Sequence, residues 1–178
     1  EMLFNDREGF VKALNGVYIE LNTNELYGRN LTAGALDVMG QYYSVASSSH
    51  AFYNYGGLVY TGNDEKALFD NMWQKCYAVI ACCNTIIEKC DENKAGLSPV
   101  WKGSIKGEAL ALRAMLHFDM LRLFGPLTSE LDKESIPYQT NSDQTVTPLL
   151  SGSEVIGLIL DDLKNAVGLL KATDPYFV

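Results

Sequence analysis

The side chains in this sequence that could do chemistry are two histidines, four cysteines in one short stretch, an acidic doublet and a run of aromatic residues. Acid–base or nucleophilic catalysis needs a base within hydrogen-bond reach of a second reactive group. His50 and His117 are well separated, and no HExxH, GxSxG, phosphate-loop or GxGxxG pattern accompanies either. No catalytic constellation emerges. His117 lies one turn after Arg113 on a helical stretch and reads as a structural hydrogen-bonding group. Asp161 and Asp162 are adjacent, and neighbours on a helix point about 100° apart. The doublet therefore reads as a solvated face rather than paired acids. Cys76, Cys83 and Cys90 recur along one face of a predicted helix. Neighbours in that row stand about 10 Å apart, too far for a disulfide or a shared metal. Cys82 and Cys83 are adjacent, where disulfides are rare. All four read as buried free thiols acting as small hydrophobes, and neither a metal nor a cofactor is called for.

Ligand binding is the chemistry better served. The run His50-Ala51-Phe52-Tyr53-Asn54-Tyr55 puts aromatic rings beside an amide and hydroxyls. Such rings pack against the C–H face of a sugar at low entropic cost, while the polar groups bond its hydroxyls. Tyr53, Asn54, Tyr55 and Phe52 are the candidate ligand-binding residues. The competing reading is that these aromatics plug the domain's own core or an interface with another lobe.

Composition narrows the partners. The 178 residues are 47% hydrophobic and 20% charged, a globular balance for which a single domain is the default. A net charge of −8 disfavours nucleic acid, whose phosphates require basic patches. No run of about 18 uncharged apolar residues spans a membrane. The chain opens at Glu1 without Met, which suits a mature segment and leaves the compartment open.

Five helices are predicted to position these groups, with long irregular loops and little strand: an all-α architecture. The first runs from about Arg7 to Leu21, with Asn5 and Glu8 as a capping box and Phe10, Leu14, Val17, Tyr18 and Leu21 as its apolar face. The second runs from about Leu31 to Tyr43 and buries Leu31, Ala35, Val38, Met39 and Tyr42. Residues 44–64 read as a loop with a short strand near Leu58–Tyr60. The third helix, Glu65 to Cys90, has the longest amphipathic stripe. After a polar turn at 91–97, Ser98 caps a fourth helix with Pro99 in its first position, running to Phe124. Lys106, Arg113 and His117 share one stripe of it, and Glu108, Asp119 and Arg122 another, with apolar sectors between. Such a helix packs on two sides, in the middle of a tetratricopeptide-like (TPR-like) array. Arg113 interrupts an apolar surface and calls for an acidic or carbonyl partner. Asp119 and Arg122 are spaced to pair at i, i+3. Residues 125–150 form a long irregular segment, and Ser151 with Glu154 caps a fifth helix reaching about Lys171.

The stretch 107–126, GEALALRAMLHFDMLRLFGP, resembles the signature helix of the SusD/RagB family. Glu108, Ala109, Leu112, Arg113, Ala114, Phe118, Asp119, Arg122, Leu123, Phe124 and Gly125 carry the resemblance. Trp73, Tyr77, Ile80 and Asn84 before it, Ile136-Pro137-Tyr138 after it, and Asp162, Leu163, Ala166 and Leu170 extend it. Pro126 follows Gly125 directly, where the family usually has a residue or two between. The resemblance implies a non-catalytic protein that binds a glycan or similar nutrient at the bacterial cell surface. It implies delivery to a SusC-like TonB-dependent outer-membrane transporter, and membrane attachment only through a lipid anchor outside this segment. Arg113, Asp119 and Arg122 would then be a folding signature. Family members are about three times longer, so residues 1–178 would be the N-terminal helical domain, without the C-terminal lobe. The alternative from another class is a TPR-like adaptor that grips a peptide or protein partner.

Overall fold

The computed structural model describes residues 3–143 and 145–170. Its elements are six helices, α1 (Arg7–Leu21), α2 (Ala35–Met39), α3 (Tyr53–Gly56), α4 (Asn63–Glu92), α5 (Pro99–Phe124) and α6 (Gly152–Leu170), with two short strands, β1 (Glu134–Pro137) and β2 (Leu149–Ser151). The architecture is all-α. The predicted helix end at Lys171 lies outside the described residues. The chain divides into two compact units, one formed by 1–17 with 79–178 and the other by 18–78.

In the first unit, α5 is the central element. Ser98 caps it, its Oγ accepting from the Trp101 N–H at 3.5 Å, and Pro99 fills the first position, where no N–H is needed. Ile105, Ala109, Leu116 and Met120 are all buried, on sectors that leave only Met115, Phe118 and Arg122 well exposed along its second half. Two residue pairs fix the packing against the end of α4. Arg113 Nη1 donates to Asn84 Oδ1 at 2.8 Å, and Lys106 Nζ donates to Asp91 at 2.6 and 2.8 Å. From Asn84 to Asp91 one strand of the hairpin advances seven residues while the other retreats seven, an antiparallel register. The turn between them uses the left-handed residues Asn93 (φ 45°) and Gly96 (φ 65°), and Asn93 Oδ1 accepts from the Leu97 N–H at 2.8 Å. On its other side α5 meets α6 closely: a Cβ on Gly107 would lie 2.8 Å from Leu170 Cγ and 3.3 Å from the Ala166 carbonyl oxygen. Ser151 and Glu154 form the capping box of α6, with Glu154 Oε2 accepting from the Ser151 N–H at 2.9 Å. Strands β1 and β2 pair antiparallel, Glu134 opposite Ser151 and Pro137 opposite Leu149.

Asn5 does not cap α1. Asp6 does, its Oδ1 accepting from the Gly9 N–H at 2.8 Å, because the chain enters the helix one residue later than the Asn5–Glu8 spacing suggests.

The second unit is built on short helices. Predicted as one helix from 31 to 43, the second element is helical only over Ala35–Met39. Gln41 stops it. With φ 63° it takes the left-handed position of a Schellman turn, its N–H bonding Val38 O at 3.1 Å and the next N–H, of Tyr42, bonding Asp37 O at 3.0 Å. This turn throws Tyr42 outward to 79% exposure, against the expectation that it is buried. The strand expected at Leu58–Tyr60 is absent. In its place α3 ends in a second Schellman turn, with Leu58 left-handed (φ 53°), its N–H on Tyr55 O at 3.1 Å and the Val59 N–H on Asn54 O at 2.9 Å. The core of this unit gathers Leu21, Leu26, Leu31, Ala35, Val38, Tyr55, Met72 and Cys76.

Candidate binding site

Within the second unit, a cleft of about 610 Å³ opens where α3 meets the start of α4. Arg29, Ser48, Ser49 and His50 form part of its wall, the residues 52–55 another, and Asp64, Glu65 and Leu68 of α4 the rest. The four aromatic-loop candidates all line it but play different parts. Tyr53 is 43% exposed and offers a ring to the solvent side. Tyr55 is 2% exposed: its ring sits edge-on to Phe52 (5.8 Å between centroids) and Phe69 (6.0 Å), and its hydroxyl donates to Asp64 O at 3.4 Å. Burial, then the nearby Glu65 and Asp64 charges, raise the Tyr55 phenol above its ordinary pKa, so it stays a donor. Phe52 is half-buried, with the Arg29 guanidinium 5.8 Å over its ring and His50 Nδ1 accepting its N–H at 3.1 Å. Asn54 donates through Nδ2 to Glu65 Oε1 at 2.6 Å. That bond holds the Glu65 carboxyl below the ordinary carboxylate range. It also latches α3 to the first turn of α4. The wall therefore carries two carboxylates, Asp64 and Glu65, against the one guanidinium of Arg29.

The polar centre of the first unit is separate and largely buried. Arg113 donates Nε and Nη2 to the two oxygens of Asp162, each at 2.7 Å, a bidentate pair. Tyr138 donates to Asp162 Oδ2 at 2.6 Å, and Asn84 passes Nδ2 to the carbonyls of Gln139 (3.1 Å) and Asn141 (2.9 Å). The ring of His117 stacks on Tyr138 at 3.9 Å. Its Nδ1 lies 2.9 Å from Arg113 O, and its Nε2 accepts the Gln139 N–H at 3.0 Å. An acceptor at Nε2 requires the proton on Nδ1, so the ring is neutral. Burial foremost pushes its pKa down to about 4, and the Arg113 charge adds to this. Asp162 is thus no part of a solvated doublet. It is a buried counter-ion, while Asp161 lies outside and faces Lys164 at 3.5 Å. Periodicity alone could have separated them, since Asp162 falls on the same face as Val155, Ile159 and Ala166. Asp119 is buried and pairs with Arg122, whose guanidinium also lies 5.3 Å over Phe118. These side chains hold helices and a loop together, and none lines the cleft.

All four cysteines are thiols. Cys76, Cys83 and Cys90 are buried as expected, but Cys82 is exposed, because it lies one residue off the row that those three form along the inner face of α4. Burial pushes Cys83 up to about 12 and Cys90 up to about 11, far from the thiolate form. Among the described residues, no group of three His, Cys, Asp or Glu side chains could hold a metal, and no helix is long and apolar enough to cross a membrane.

A sequence profile of the SusD-like proteins, described as starch-binding and associating with the outer membrane, matches residues 10–176. The chain belongs to this family. A SusD-like protein of Formosa agariphila is 34% identical over 96 residues, 53% of this chain and 17% of that protein. A SusD-like protein of Bacteroides ovatus is 30% identical over 105 residues, 57% of this chain and 18% of that protein. Two solved Bacteroides vulgatus structures share the fold. One, described as a sugar-binding protein, superposes with a TM-score of 0.74 at 23% identity, over 93% of this chain and 37% of that one. The other, a SusD superfamily protein, gives 0.71 at 22% identity, over 96% and 36%. The SusD-like chain thus spans a little over a third of these solved relatives. The stretch that resembles the family's signature is the second half of α5, in which Arg113 and Asp119 are the buried charges just described.

Proposed function

We propose that this SusD-like chain binds a glycan without transforming it, at the outer surface of a bacterial outer membrane, for delivery to a SusC-like TonB-dependent transporter. A lipid anchor outside this segment would hold it there. The observation that carries the reading is the cleft beside Tyr53: an exposed aromatic face next to carboxylate, amide and hydroxyl groups, the mixture that recognises a polyhydroxylated ring. Tyr53 stacks on the sugar, Phe52 and Tyr55 support the wall, and the Asn54–Glu65 pair fixes its shape. With Asp64 and Glu65 against Arg29, the cleft suits neutral sugars better than uronates or sulfated glycans. The two histidines support no catalysis: His117 is buried in a structural network, and His50 bonds a backbone N–H.

Isothermal titration of the chain against neutral and acidic oligosaccharides tests this, with Tyr53→Ala as the site variant. Binding of a neutral glycan, weakened about tenfold by Tyr53→Ala with the fold intact, is expected. Binding that Tyr53→Ala leaves unchanged would remove the cleft from the account, and hydrolysis of the bound sugar would refute the non-catalytic assignment.

A further inference from the structure

The first unit already holds one irregular stretch of chain by gripping its backbone with side chains. Residues 138–142 run over α5 from α6, where Tyr138 bonds Asp162, to α4, where the Ser142 N–H bonds Glu88 Oε1 at 2.7 Å. Between these ends Asn84 donates to the carbonyls of Gln139 and Asn141, and Arg113 Nη1 to that of Thr140 at 3.4 Å. Arg113 and Asp162 also line a groove of about 520 Å³ that continues along α5 toward its N-terminus. Ile87 of α4 and Leu110 of α5, both nearly buried, give it an apolar floor. Lys106 stands at its far end, and Lys164, Asn165 and Gly168 of α6 form a wall. From Lys106 to Arg113 the helix rises about 10 Å, the length of three residues of extended chain at about 3.3 Å each.

Three features of this groove point to its occupant. Its donors are not used up. The Asn165 amide has no hydrogen-bond partner among the described residues, and the 73%-exposed Lys164 side chain meets only Asp161, at 3.5 Å. Lys106 gives Asp91 two bonds, which leaves one N–H of its ammonium. The charge is locally inverted: the chain carries −8, yet Lys106, Lys164 and Arg113 face the groove against Asp162 alone. The wall is also open at Gly168, where an added Cβ would meet nothing within 4 Å, so another backbone can come close to α6. We infer that the groove binds an extended, acidic peptide segment of a partner protein. Carboxylates of that segment meet Lys164 and Lys106, its backbone bonds Asn165, and a small apolar side chain rests on Ile87 and Leu110. The groove uses no residue of the glycan cleft, and the inference does not depend on that reading.

Fluorescence anisotropy with labelled hexapeptide pools tests this. One pool is built from Asp, Glu, Ala, Val and Ser, and a matched pool carries Lys in place of the acids. The acidic pool should bind the wild-type chain about tenfold or more tighter than the lysine pool, and less tightly as salt is raised from about 50 to about 300 mM. Gly168→Leu puts a side chain into the groove. It should weaken acidic-pool binding about tenfold while raising the unfolding midpoint, because leucine favours helix over glycine. Gly168→Ala brings the same kind of helix gain without filling the groove and should keep the affinity within about twofold, which separates blockage from a folding defect. Lys164→Glu should lose about fivefold or more. An acidic pool that binds no tighter than the lysine pool, or acidic-pool binding that Gly168→Leu leaves unchanged, would overturn the inference.

Discussion

Lowering the pH should destabilise this protein through one side chain, His117. In the folded chain its ring is enclosed between Tyr138 and the backbone of α5. It donates from Nδ1 to Arg113 O and accepts at Nε2 from the Gln139 N–H. A second proton would have to sit on Nε2, pointing at a donor, in a buried site close to the Arg113 guanidinium. Burial accordingly lowers the pKa from 6.5 to about 4. The sign follows from which state takes up the proton. Above about 6.5 neither the folded nor the unfolded ring is charged, and folding is indifferent to pH at this site. Between about 6.5 and about 4 only the unfolded ring charges, so stability falls as pH falls. Below about 4 both are charged and the loss is complete. The gap between 6.5 and about 4, at about 1.36 kcal/mol per pH unit, comes to about 3 kcal/mol. Urea unfolding followed by circular dichroism from pH 7.5 to 3.5, on wild type and on His117→Gln, isolates this contribution, because the other titrating groups are common to both. The wild-type advantage should shrink by about 3 kcal/mol across that window. A wild-type-minus-variant difference that is constant with pH, or an imidazole resonance of His117 titrating near 6.5, would refute the reasoning.

Other expectations follow from the same contacts. Asp162→Asn leaves Arg113 buried without its counter-charge and should cost about 3–5 kcal/mol in chemical denaturation, while replacing Arg113 and Asp162 together by leucines should recover much of that. Tyr138→Phe removes one hydrogen bond to Asp162 and should cost about 1–2 kcal/mol in the same measurement. Leu58→Gly relieves a left-handed leucine and should raise stability by about 0.5–1 kcal/mol; an unchanged or lower unfolding midpoint would show that the turn carries no strain. A disulfide-exchange reagent at neutral pH should modify Cys82 rapidly and the three buried thiols only on unfolding, so a second fast equivalent in the native protein would contradict the burial of Cys76, Cys83 and Cys90.

The long helices were legible because their signals are local. Ser98-Pro99 starts α5, Phe124-Gly125 ends it, and the stripe of α4 repeats over many turns, so periodicity and caps agree. What failed was decided by contacts distant in sequence, by rare backbone states or, for Asp162, by a helical period that was there to be read. An arginine on an apolar surface announces that it needs an acid, but the acid that meets Arg113 lies 49 residues away. Beside Asp161 it looked like half of a solvent-facing pair. The end of α2 had no readable stop signal, since glutamine seldom takes the left-handed conformation, and without that turn Tyr42 seemed to belong to a buried face. In the aromatic run, composition pointed to the stretch that lines the cleft. It could not tell the inward Tyr55 from the outward Tyr53, because α3 is a single turn whose phase the sequence does not reveal.

The sequence distance between Arg113 and Asp162 has a consequence for synthesis. At about 5–20 residues per second, a ribosome needs roughly 2–10 seconds to make the 49 residues that separate them. During that interval the hairpin of α4 and α5 carries a guanidinium on a surface meant to be enclosed, with its carboxylate still unmade. The first unit therefore cannot close around α5 as it emerges. Until α6 brings the carboxylate the middle of α5 gains from staying hydrated, and a chain truncated before Asp162 should expose apolar α5 surface.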